Sequence, residues 1–104
     1  MPQLNFDVPN PLGQPRALQL IQQFMPQVQE RFKDMVKDVE QTVVGNQVNF
    51  SFRTMGMSIT GTTTVDDSKV NVKMELPFAA LMVKGKIQSE MTSALERLLG
   101  KPSA

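Results

Sequence analysis

A chain of 104 residues, 40% hydrophobic and 20% charged, can build one folded domain with a single core and is too apolar to be disordered. Eleven basic and ten acidic side chains leave a net charge of +1, and there is no Trp or Tyr. This composition lacks the basic stripe of a nucleic-acid or anionic-membrane binder and the rings that stack bases. The chain has no Cys and no His, which removes disulfides, thiolate ligands, the commonest general base and the commonest metal ligand.

Leu4, Phe6 and Val8 alternate with Asn5 and Asp7, the pattern of a short half-buried strand. "PNPLGQP", residues 9–15, breaks it, and Pro15 suits the first position of a helix, where its missing N–H is no loss. Apolar residues then fall at 17, 21, 24, 28, 32 and 35, an amphipathic stripe that predicts a helix ending near Lys37. Pro26 lies inside it and predicts a kink or a break. Helical spacing could run on to Val43, but "EQTVVGNQVNFSF" holds β-branched residues on both sides of Gly45-Asn46 and reads as a hairpin.

Val48, Phe50 and Phe52 form the next alternating run. "TMGM" turns the chain into Met57, Ile59, Thr63 and Val65, with Gly61 on the apolar side. A strand-interior Gly packs nothing and is tolerated where something must approach closely or the strand must bend, so a helix residue is expected over Gly61, or a bend at it. Asp66-Asp67-Ser68 is a turn, and Val70, Val72, Met74 and Leu76 alternate after it until Pro77. A second helix carries Ala80, Val83, Ile87, Met91, Ala94, Leu95 and Leu98 on one stripe and stops at Gly100 and Pro102. Strand, long helix, four-strand meander and helix make a single α+β domain over residues 1–104, two helices packed on one face of an antiparallel sheet.

The search for chemistry returns little. Ser58 or Ser89 beside a lysine could in principle form a nucleophilic pair, but both read as ordinary surface serines. Asp66 and Asp67 sit where a turn needs them, and Asp34 and Asp38 flank Lys33 and Lys37 as a solvated face. No glycine-rich loop has phosphate-binding spacing. The expectation is therefore no catalytic residue, no metal and no cofactor, and not an enzyme. No apolar run approaches the roughly 18 residues of a membrane helix, and "MPQLNFDVPN" lacks the basic start of a signal peptide. A cytoplasmic protein is expected.

Two surfaces stand out. Ser58, Thr60, Thr62 and Thr64 line one side of a strand, which reads as a solvated face before a hydroxyl-lined wall. "LPFAALMVKGKI", residues 76–87, holds more apolar residues than one stripe can bury. On a wheel of about 100° per residue with Ile87 and Met91 facing the sheet, Ala80 and Val83 join the core. Phe78, Met82 and Gly85 then fall opposite, and Leu81 and Leu99 lie on a flank. Such a cluster is either covered by the first helix or the first strand, or is an exposed patch of Phe78, Leu81 and Met82 rimmed by Lys84 and Lys86.

Residues 50–87, "FSFRTMGMSITGTTTVDDSKVNVKMELPFAALMVKGKI", resemble the polyhydroxyalkanoic acid system family, small bacterial proteins named for polyhydroxyalkanoate granule gene regions. The resemblance rests on Phe50, Phe52 and Gly56; on Gly61, Val65, Asp66 and Asp67; on Leu76, Pro77 and Phe78; and on Gly85, Lys86 and Ile87. "PLG" at 11–13 followed by Ala17 also fits, although the family commonly has a His where this chain has Pro11. The resemblance implies an accessory protein at a polyester granule surface or among granule-associated proteins. The element order also resembles a reduced helix-grip fold. That likeness raises one alternative, a small apolar ligand held between Phe50, Ile59 and Val72 and the helix residues Ile87 and Met91; the exposed patch raises another, a homodimer joined through it with no ligand.

Overall fold

The computed structural model describes residues 3–100. Five strands, β1 (Gln3–Pro9), β2 (Val36–Val44), β3 (Gln47–Thr54), β4 (Met57–Val65) and β5 (Lys69–Glu75), form one antiparallel sheet in the order β1-β5-β4-β3-β2. Helix α1 (Gln14–Arg31) joins β1 to β2, and a 3-10 helix (Phe78–Val83) leads from β5 into α2 (Lys84–Leu98). The expected α+β architecture is the observed one. Leu4, Phe6, Val8, Val48, Phe50, Ile59, Val65, Val70, Val72 and Met74 all bury on one sheet face against Ala17, Ile21, Phe24 and Met25 of α1 and Leu95 of α2. Each large side chain so buried contributes roughly 1.5–3 kcal/mol.

Several boundaries differ from the sequence reading. Helix α1 ends at Arg31, not near Lys37, and the chain turns through residues 32–35 into β2. Phe32 and Met35 therefore leave the apolar stripe and are exposed. The helix runs unbroken through Pro26. Proline removes the N–H that would bond the Gln22 carbonyl, and the Gln41 side chain of β2 donates Nε2–H to that carbonyl at 2.8 Å instead. After Pro77 the first turns are 3-10 rather than α. At three residues per turn the phase advances faster than on an α wheel, so Val83 emerges into solvent. Leu99, placed on a flank by the wheel, is buried at the C-cap of α2. Gly100, at φ 68, ends α2, and Pro102 lies outside the described residues.

The turns follow their residues. Gly45 takes φ 60 as the first residue of the β2–β3 hairpin, as a II′ turn requires. At the same end of the sheet a set of side-chain bonds clasps the β4–β5 turn to the start of α1. Asp67 Oδ1 accepts from the Gln14 N–H at 3.0 Å, Gln14 Nε2 donates to the Val65 carbonyl at 2.9 Å, and Asn10 Nδ2 donates to the Asp66 carbonyl at 2.8 Å. Asp67 thus serves as a cap for α1 from a distant turn, since Gly13, the N-cap residue, has no side chain to do so.

Gly61 faces the core opposite Phe50 of β3. The sequence predicts a helix residue over it or a bend of the strand; the group that lies over it is the Phe50 ring, and β4 pairs through Gly61 without a register shift. A Cβ at position 61 would stand 3.0 Å from Phe50 Cε1, closer still to Cζ, and 2.8 Å from the Lys73 carbonyl oxygen.

Candidate functional site

The register gathers the exposed apolar residues at one end of the sheet. Val36 pairs with Thr54 and Thr54 with Met57, so the α1–β2 connection and the β3–β4 turn share that end. Strand β5 also finishes toward it, Glu75 pairing with Thr60 near the start of β4, and the 3-10 helix follows two residues later. Of the ten exposed large hydrophobics among the described residues, seven lie on these segments: Phe32, Met35, Met55, Phe78, Leu81, Met82 and Val83. Met82 is 96% exposed, Met55 77% and Phe78 74%. The patch of Phe78, Leu81 and Met82 is thus open to solvent, and neither α1 nor β1 covers it. Lys84 and Lys86 begin α2 directly beside it. Sequence reasoning missed Phe32, Met35, Met55 and Val83, which join this end only through strand register.

Met55 carries a second signal. It and Gly56 form the two-residue β3–β4 turn with φ 53 and φ 78, which a I′ turn requires and which Asn-Gly normally supplies. A bulky side chain in the left-handed region is strained by about 1–3 kcal/mol, and the methionine that bears this strain is exposed to solvent.

The fold accounts for most residues of the motifs quoted above. Phe50, Val65 and Leu76 are core, Phe52 and Ile87 pack against it, Gly56 supplies a positive φ, Gly61 admits the Phe50 ring, and Asp66 and Asp67 make the clasp. Pro77 is the N-cap residue of the 3-10 helix, its carbonyl accepting from the Ala80 N–H at 2.9 Å. Phe78, Gly85 and Lys86 are left: all three are exposed, and a Cβ at Gly85 would meet nothing within 4 Å.

Other candidates are placed as follows. The space among Phe50, Val72 and Met91 is a void of about 10 Å³, the size of one water molecule against roughly 300–1,000 Å³ for a small-molecule site. An internal apolar ligand has no room there. The outer sheet face carries Ser58, Thr60, Thr62 and Thr64 as expected, and Thr62 donates to Asn49 Oδ1 at 2.8 Å. A shallow open trough of about 860 Å³ crosses this face, lined by Thr42, Asn49, Ser51, Thr60, Thr62 and Lys73 among others. Ser58 and Ser89 are exposed, and neither hydrogen-bonds to a lysine among the described residues. Asp34 lies in the α1–β2 connection and Asp38 in a bulge of β2, at φ 54. Among the described residues no helix is long and apolar enough to cross a membrane.

No curated protein matches the chain. A family model does: it spans residues 5–99, reaching from β1 to the last turn of α2 and so covering both the clasp and the apolar end. The chain belongs to the family described as polyhydroxyalkanoic acid system proteins.

Proposed function

We propose that this protein is a non-enzymatic, cytoplasmic accessory protein of the polyhydroxyalkanoate system that adheres to the hydrophobic surface of a polyester granule through its apolar end. The observation that carries this reading is the concentration of exposed large hydrophobics there, headed by Met82 at 96% exposure. Exposed apolar residues gathered at one end of a protein mark a surface for a partner or an apolar phase. Methionine and phenylalanine suit an irregular polymer surface because methionine is unbranched and adapts its shape. Family membership supplies the granule.

Co-sedimentation with polyhydroxyalkanoate particles tests it. The wild-type chain is expected in the pellet. Met82→Glu, which alters no packed contact, is expected in the supernatant with an unchanged melting temperature. Wild-type protein that stays in the supernatant, or a variant that pellets equally, overturns the reading.

A further inference from the structure

The net charge of +1 conceals an uneven distribution. Arg31, Lys33, Lys37 and Arg53 lie within two rungs of the apolar end of the sheet or on the connection beyond it, and Lys84 and Lys86 stand in the first turn of α2, just after the 3-10 helix; the anions of this end are Glu30, Asp34, Asp38 and, at the finish of β5, Glu75. Six cations therefore stand against four anions at this end, and five cations against six anions in the rest of the chain. Lys37 and Arg53 are direct partners across β2 and β3. A like-charged pair in that position destabilises a sheet. None of the six cations forms an ion pair among the described residues; Arg31 instead rests 5.9 Å over the Phe32 ring.

An end of the molecule that carries both exposed apolar side chains and cations without ion-pair partners among the described residues calls for an occupant that is apolar inside and anionic at its boundary. A second copy docked two-fold through this face would set cations against cations. Bare polyester is neutral and leaves Lys37 and Arg53 unanswered. Nucleic acid supplies the anions but no apolar phase for Met82. We infer that the surface this end meets is an anionic phospholipid interface, with Met55, Phe78 and Met82 entering the acyl boundary while the cations meet the head groups. This rests on the adhesion reading above and names the chemistry of the surface. Near an anionic lipid surface each Lys or Arg contributes about fivefold in affinity, so removing two weakens binding about 30-fold.

The test is sedimentation with phosphatidylcholine vesicles, with and without phosphatidylglycerol, over a range of salt, comparing wild type with the double variant Lys37→Gln, Arg53→Gln. The wild type is expected to pellet only with phosphatidylglycerol present and to be released as salt rises. The double variant is expected to bind about 30-fold more weakly and to melt no lower than wild type, because a repulsive pair is gone. Equal binding to both vesicle types, or an unchanged double variant, overturns the inference. Salt-independent binding to lipid-free polyester particles with no vesicle binding also overturns it but leaves the adhesion reading standing. Failure on every surface removes both, and a shift of DNA in place of vesicles shows the cations to be a nucleic-acid footprint instead.

Discussion

Gly61→Ala is the substitution whose outcome the structure fixes most tightly. In an open strand position it would help, because replacing glycine reduces the freedom of the unfolded chain by about 0.4–1 kcal/mol. Here the new methyl carbon would lie 2.8 Å from the Lys73 carbonyl oxygen and 3.0 Å from Phe50 Cε1. The carbonyl belongs to a strand paired on both sides and has nowhere to go. The Phe50 ring is buried and stacked 6.3 Å from Phe52, so its retreat disturbs a second ring. Overpacking of this kind costs about 1–3 kcal/mol. The overpacking outweighs the entropic gain, leaving a net loss of about 1–2 kcal/mol, or about 4–15 °C in Tm for a chain of this size. Thermal denaturation followed by circular dichroism measures it. A cycle with Phe50→Leu separates the contacts: with the ring gone, Gly61→Ala should cost about 0.5–1 kcal/mol less, the remainder being the carbonyl. A Gly61→Ala protein that melts at or above wild type, or a cycle with no coupling, would show that the ring and strand yield freely and that the close approach is not what glycine serves.

Two further outcomes follow from particular contacts. Gln41→Ala should lose about 1–3 kcal/mol by leaving the Gln22 carbonyl unbonded, and should lose less in a Pro26→Ala background, where the helix regains its own N–H; urea denaturation of the four proteins reads the coupling. Asp67→Ala should lose about 0.5–2 kcal/mol as the remote cap of α1 disappears, while Asp67→Asn, which keeps the accepting oxygen, recovers most of the melting temperature. The adhesion of Met82→Glu and the vesicle affinity of the Lys37, Arg53 double variant, set out above, complete the set.

The meander was legible because strand alternation has a period of two and each turn carried Gly, Asn or Asp. The end of α1 was not. Phe32 and Met35 continue the helical stripe by spacing, yet both are about half exposed. A side chain kept apolar for the surface looks the same in sequence as one kept apolar for the core. Val83 was misplaced for a different reason, since the wheel assumed α geometry through a 3-10 segment. The patch around Phe78 and Met82 could be found because its residues are adjacent in the chain. Met55 and Met35 could not, because only the pairing of Val36 with Thr54 and of Thr54 with Met57 brings their segments together. The cation pair was hidden in the same way, and the overall charge argued against it.

The clasp of Asn10, Gln14, Asp66 and Asp67 has a counterpart in what the opposite end lacks. There, among the described residues, no side-chain hydrogen bond secures the 3-10 helix or the first turns of α2, whose Ile87 and Met91 are only half-buried. Helix α2 is fastened at its far end, by Leu95 and Leu99. Free energy of opening is therefore expected to be graded along the molecule, high at the clasp and lower over residues 81–91, beyond the buried Ala80, as it is wherever buried apolar contacts thin out. The first turns of α2 can separate from the sheet as a unit while the five strands stay closed. Such a separation would hand the half-buried faces of Ile87 and Met91 to whatever the apolar end has already met, enlarging the contact after first touch without unfolding the protein.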